Sequence, residues 1–194
     1  YMKPAIRMAA LMQVPIKFIW SHDAFRVGED GPTHEPVEQE AQIRLMEKLK
    51  NHKGQDSVRV FRPADAGETT VCWQMAVENM DTPTALIFSR QPVNSLPEGT
   101  DYEQVRKGAY IVNGSDEDYD VILLASGSEV ATLLAGAELL RKDGVRLRIV
   151  SVPSEGLFRC QSKEYQENIL PTGAKIFGLT AGLSVTLEGL VGSN

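Results

Sequence analysis

Two of the chain's three histidines, His22 and His34, stand in one polar stretch, SHDAFRVGEDGPTHEPVEQ (Ser21–Gln39). Asp23, Glu29, Asp30 and Glu35 share it, with Gly28 and Gly31. Imidazole exchanges protons near neutral pH, and a carboxylate beside it fixes which ring nitrogen carries the proton. Glycine permits tight turns and close approach of backbone to a ligand. Three readings follow: a loop for acid–base work on a bound metabolite, a solvated acidic loop with incidental histidines, or a metal site made from His22, Asp30 and His34. The glycines argue against the second. The third ranks lowest, because no ligand spacing such as H-E-x-x-H is present. Arg90 follows the apolar run Thr84–Ser89 directly. A guanidinium there suits an anionic ligand such as a phosphate, and a salt bridge is the ordinary alternative. Ser126-Gly127-Ser128 opens a helical pattern, where a cradle for an anion and a simple helix cap are equally good accounts. Cys72 and Cys160 have no basic or histidine neighbour in sequence and read as packing residues.

The elements that would hold these groups alternate strand and helix. A helix over 2–13 is expected, with Ile6, Ala9, Ala10 and Leu11 near one face. Ile16–Trp20 reads as a buried strand. A helix over 37–50 carries Val37, Ala41, Leu45 and Leu49 at intervals of four. Val58–Phe61 is a second strand. Asp65 caps the next helix, with Glu68 as its capping-box partner and Val71, Trp73, Met75 and Val77 partly buried. Thr84–Ser89 is a third strand. Strands joined by helical crossovers imply a parallel sheet. The stretch 92–106, with Pro92, Pro97 and Gly99, reads as a linker. A second unit follows, with strands over 109–112, 121–125, 146–152 and 175–179 and helices over 126–141 and 161–169. The expected fold class is α/β: two consecutive three-layer units with mainly parallel sheets, residues 1–91 and 107–194 on either side of the linker.

Composition narrows the rest. The chain has 194 residues, is 42% hydrophobic and 24% charged, and carries a net charge of -6. No basic stripe with interleaved aromatics is present, which argues against a nucleic-acid partner. No apolar run approaches the roughly 18 residues of a membrane span. Two separated cysteines in no metal spacing fit reduced thiols and a cytoplasmic setting. The opening on Tyr1-Met2-Lys3-Pro4 and the stop at Gly192-Ser193-Asn194 read as cuts through a longer protein.

At GEDGPTHEPVEQ (Gly28–Gln39) the chain resembles the transketolase family. The resemblance continues through FRPADAGET (Phe61–Thr69), PTALIFSRQ (Pro83–Gln91), VILLASGSEV and VRLRIVSVPSEGLF. Five separated blocks in family order cover nearly the whole chain. They resemble most of a thiamine-diphosphate pyrimidine-binding domain followed by a truncated transketolase C-terminal-like domain. The resemblance implies an enzyme of the pentose phosphate pathway that moves a two-carbon ketol unit between sugar phosphates, with thiamine diphosphate and a divalent metal, magnesium or calcium. Carried over position by position, it implies that His22 contacts substrate, that Asp30 hydrogen-bonds the sugar hydroxyl beside the reacting carbon, and that His34 sits by the cofactor and donates to the substrate oxygen. Arg90 would grip the sugar phosphate, and Tyr1 would lie in the aromatic patch around the aminopyrimidine.

The chain departs from the family pattern at Ala24, Arg26, Glu35 and Pro92, and Glu47–Ser57 is longer than the usual connection. The family's GDG…N motif for the diphosphate and its metal does not occur, so the metal site is expected in a missing N-terminal domain of the same protein. A homodimer is implied, and the isolated piece is expected to be inactive. Two alternatives stay open. One is another thiamine enzyme, such as deoxyxylulose-phosphate synthase or a dehydrogenase β subunit, against which the SRQ and RPAD-x-x-ET blocks weigh. The other is a non-catalytic dimerisation module, which the second unit alone would suit.

Overall fold

The computed structural model describes residues 2–23, 25, 27–114 and 118–192. Tyr1, Ala24 and Arg26 lie outside the described residues, and so do the readings placed on them.

Helix α1 (Lys3–Met12) has Pro4 in its first turn, where a missing N–H costs nothing. It leads to β1 (Lys17–Trp20), then through a long loop to α2 (Gln39–Glu47), β2 (Arg59–Phe61), α3 (Ala66–Glu78) and β3 (Thr84–Ile87). The three strands form a parallel sheet in the order β1-β3-β2. Asp65 caps α3 as expected: its Oδ1 accepts from the Glu68 backbone N–H at 2.9 Å. Glu68 reaches back one residue further than a capping box would, its Oε2 accepting from the Ala64 N–H at 2.6 Å.

The second sheet contains β4 (Tyr110–Gly114), β5 (Val121–Ala125), β6 (Leu147–Ser151) and β7 (Ile176–Leu179) in the order β4-β6-β5-β7, with β4 alone antiparallel. Helix α4 (Glu129–Lys142) joins β5 to β6. Two short helices, α5 (Glu155–Arg159) and α6 (Lys163–Ile169), precede β7.

Period-two alternation assigns each sheet two buried faces. Ala85 and Ile87 of β3 pack with Ile6, Ala9, Phe18 and Ile43 under α1 and α2. Leu86, between them, points the other way into a cluster with Val71 and Met75 of α3, Leu123 and Ala125 of β5, and Leu133 of α4. Ile122 and Leu124 of β5 face a third cluster under α5 and α6. The middle cluster therefore belongs to both sheets.

Several sequence expectations are corrected. Leu11 of α1 is exposed, and β1 lies at a sheet edge with Ile16 and Ile19 half open to solvent. The helix expected over 37–50 is shorter, and of its stripe Leu45 in α2 and Val37 and Leu49 on either side of α2 are exposed. The buried residues of α2 are Ile43, which packs in the apolar cluster beneath, and Arg44 and Glu47, which are buried because polar groups such as the Ser126 hydroxyl and the Val60 N–H meet them. Val77 is 64% exposed, and α3 turns Cys72 and Ala76 inward in its place. All five residues of β6 are buried, including Arg148, which donates to the Asn168 and Ile169 carbonyls at the end of α6. Cys160 is exposed, with its sulfur 3.5 Å from Asp56, and is not a packing residue; Cys72 is buried.

The stretch read as a linker is tied down. It includes a 3-10 helix (Tyr102–Lys107) and buries Leu96 and Val105. The Leu96 N–H and the Tyr102 hydroxyl both donate to Asp65 Oδ2, at 2.9 and 2.6 Å.

Candidate functional site

The loop after β1 begins where two parallel strands end side by side. The Phe88 N–H donates to the Trp20 carbonyl and the Asp23 N–H to the Phe88 carbonyl, both at 2.8 Å. The carboxyl ends of β1 and β3 are thus held together, the usual place for a ligand in a parallel α/β sheet. Past this point the chain turns outward. Ser21 and His22 are exposed, while Asp23 points back into the protein. Gly28 (φ 87°) and Gly31 (φ 73°) lie in the left-handed region that other residues seldom adopt. A 3-10 turn (Pro32–His34) then presents His34 to solvent.

His22 Nδ1 lies 2.8 Å from the Ser21 hydroxyl, and His34 Nδ1 lies 2.9 Å from the Thr33 hydroxyl. A neighbouring hydroxyl, rather than the expected carboxylate, therefore engages Nδ1 in both rings and leaves Nε2 to meet a ligand. Asp30 is exposed, and its carbonyl accepts from Thr33 Oγ1 at 3.4 Å. Among the described residues no hydrogen bond or ion pair joins His22, Asp30 and His34; they share the loop without touching. No cluster of three or more histidine, cysteine or carboxylate groups that could hold a metal ion occurs among them either.

Arg90, just past β3, reaches this loop. Its Nη1 donates to the Val27 carbonyl at 3.1 Å, and a side chain on Gly28 would stand 3.8 Å from the same atom. Arg90 is exposed and forms no salt bridge among the described residues.

The Ser126-Gly127-Ser128 turn neither caps α4 through a side chain nor presents an anion cradle. Ser128 makes no capping bond, and Ser126 Oγ accepts from Arg44 Nη2 at 3.1 Å. Gly127 (φ 64°) lies against the Arg62 side chain.

Arg62 is what the sequence reading missed. It follows β2 as Arg90 follows β3, so its position carried the same signal. It is 2% exposed and donates through Nη2 to Asp23 Oδ2 at 2.8 Å and to Glu129 Oε2 at 2.7 Å. Nη1 donates to the Ser126 carbonyl at 2.8 Å and to Glu129 Oε1 at 3.0 Å, with Glu40 at 3.7 Å. Burial alone would lower the Arg62 pKa; the three carboxylates outweigh it and raise it, so the charge is permanent. Burial would likewise raise the Glu40 pKa, but Arg62 and Arg44 hold it below the usual carboxylate range. A cavity of about 70 Å³ beside this cluster is walled by His22, Asp23, Glu40, Arg62, Ala181 and Gly182, among others.

Residues 1–95 match the model of the transketolase pyrimidine binding domain, and residues 108–194 match that of the transketolase-like TK C-terminal domain. A transketolase of Halalkalibacterium halodurans is 43% identical over 194 residues, covering 99% of this chain and 27% of that protein. The solved transketolase of Leishmania mexicana superposes with a TM-score of 0.83 at 36% identity, covering 94% of this chain and 25% of that one. A chain described as "Split gene transketolase, inactive beta4 tetramer" superposes with a TM-score of 0.52 at 25% identity, over 71% of this chain and 39% of that one. The chain thus spans about a quarter of the length of the curated relatives it matches.

Proposed function

This chain belongs to the transketolase family, and from that premise we propose that it forms the substrate-loop side of an enzyme moving a two-carbon ketol unit from a ketose phosphate to an aldose phosphate. The work would belong to the pentose phosphate pathway, in a cytoplasmic homodimer. The observation that carries the reading is the junction at the carboxyl ends of β1 and β3. There the Arg90 guanidinium holds the Val27 carbonyl at 3.1 Å and lies beside the turn that presents Asp30 and His34.

The residues present fit one side of a thiamine site. Exposed imidazoles with Nδ1 already engaged are suited to proton handling, and an exposed arginine is suited to a phosphate. Thiamine diphosphate, when bound, supplies the carbanion chemistry. On this side His34 would exchange a proton with the substrate oxygen at the reacting carbon, and His22 would orient the sugar. Asp30 would accept from the neighbouring hydroxyl, and Arg90 would bind the distal phosphate. Tyr1 is assigned by the family resemblance to the aminopyrimidine's aromatic surround. The diphosphate and its divalent metal, magnesium or calcium, would be held by the N-terminal domain that this chain does not include. The inactive beta4 assembly of the split-gene relative supports the further expectation that these 194 residues alone do not turn over substrate.

The test is a donor–acceptor assay on the whole enzyme containing this chain, with xylulose 5-phosphate and ribose 5-phosphate. Turnover is expected, and His34→Ala should lower kcat roughly 10²- to 10⁴-fold with subunit assembly unchanged. Turnover with pyruvate and glyceraldehyde 3-phosphate instead would assign the chain to deoxyxylulose-phosphate synthesis. Loss of assembly with chemistry spared would make it a dimerisation module.

A further inference from the structure

The carboxylates on Arg62 come from three separate places. Asp23 follows the exposed His22 and is 6% exposed, Glu40 lies in α2, and Glu129 is the first residue of α4 in the second unit and is 1% exposed. Asp23 is further fixed by the Ser89 hydroxyl at 3.0 Å and uses its other oxygen to accept from the Phe25 N–H at 3.3 Å. Glu129 is fixed from its own side, its Oε1 accepting from the Ala181 N–H at 2.8 Å. A buried ion that loses one partner leaves an uncompensated charge, so such a cluster holds one arrangement firmly. The exposed His22 and the buried Asp23 are adjacent in the loop, so the position of one bears on the other.

We propose that Arg62 is a positioning residue for the substrate loop, through which Glu129 of the second unit sets the place of Asp23 and hence of His22. The inference deepens the reading of the loop as a sugar-phosphate site and rests on it. Arg62 itself is sealed from solvent and acts only through Asp23. It gives the second unit a task beyond packing subunits together, since its α4 terminus braces the loop from behind. Gly127 is needed for this arrangement, because a Cβ there would stand 2.8 Å from Arg62 Cζ and Nε.

The test uses Glu129→Gln and Asp23→Asn, alone and together, in the whole enzyme. The conservative Glu129→Gln removes charge but little volume. It is expected to lower kcat/KM for the ketose donor roughly tenfold or more, chiefly through KM. Because both residues act through one guanidinium, the double variant should lose little more than the worse single variant. Ile169→Ala, a truncation at the end of α6 in the cluster under α5 and α6, serves as the stability control: it should lower Tm and leave kcat/KM unchanged. Hydrogen–deuterium exchange on the same proteins needs no turnover. Residues 21–36 should exchange at least about tenfold faster in Glu129→Gln, with β5 still protected. Unchanged loop exchange, or losses that simply multiply in the double variant, would overturn the proposal. An enzyme that showed no ketol transfer yet responded in exchange would sink the assigned reaction and leave the brace standing.

Discussion

The Tyr110 hydroxyl, on the first strand of the second sheet, donates to Glu68 Oε1 in the first turn of α3 at 2.8 Å. The Ser151 hydroxyl donates to the same oxygen at 2.6 Å, so a fully buried carboxylate of the first unit is solvated by two strands of the second. Two hydroxyls and a backbone N–H replace water only in part, and no ion pair reaches it among the described residues. Burial therefore pushes the Glu68 pKa up to about 7.

Stability should fall as pH rises across the neutral range. Glu47 is also raised to about 7 by burial, against the pull of Arg44. A carboxyl whose folded pKa is raised contributes stability that is fully present below its unfolded value, near 4.5, and lost as pH rises through about 7. Each group should cost on the order of 2 kcal/mol between pH 5 and pH 8. Urea melts at the two values check this. Glu68→Gln should flatten the dependence, and a wild type that gains stability over the interval would refute it.

Asp65→Ala should cost more than a lost helix cap. A cap alone is worth about 1 kcal/mol, but this carboxylate also satisfies the buried Leu96 N–H and the Tyr102 hydroxyl. The expected loss is about 2–4 kcal/mol. Tyr102→Phe, which removes one donor and leaves the cap intact, should cost about 1 kcal/mol. Equal losses from the two substitutions in denaturant titrations would show that the cap does not reach beyond α3.

Gly127→Ala is expected to destabilise by roughly 1–3 kcal/mol, since φ is 64° and the new methyl meets a guanidinium whose Nη1 and Nη2 are both held by hydrogen bonds. Gly144→Ala has a similar φ of 80° and open space around it, so it serves as the backbone-only control. Calorimetry of the pair separates crowding from strain: the Gly127 variant should melt lower.

Arg90→Gln should discriminate between substrates by their phosphate. For phosphorylated sugars kcat/KM is expected to fall roughly 10- to 100-fold, the range of one charge-assisted contact. Hydroxypyruvate with glycolaldehyde, which carry no phosphate, should be turned over nearly as before. An equal loss on both substrate sets in steady-state kinetics would return Arg90 to a structural part.

Strands and helices were legible wherever a layer was apolar. Thr84–Ile87 and Val121–Ala125 are fully or nearly fully buried runs, and Asp65-Ala66-Gly67-Glu68 announces a helix start. The face of α2 was not legible. Its inward side carries Arg44 and Glu47, which by type resemble surface residues and are buried because partners distant in sequence, from β2 and from the second unit, meet them. The loop with His22, Asp30, His34 and Arg90 was found by residue type and strand-end position. The cluster beneath it was invisible, because Arg62 meets Asp23 at a separation of 39 residues and Glu129 at 67. Periodicity reports a segment's own faces and says nothing about which distant charges will share a burial site.

The anchoring of Leu96 and Tyr102 to Asp65 changes what the segment between the sheets can be. A tether would let its two ends drift, but this one is a strut seated in a cluster owned by both sheets. Scission of the backbone near Glu98, where the side chains are exposed, would therefore leave two pieces still clasped. The severed ends would have nowhere to swing.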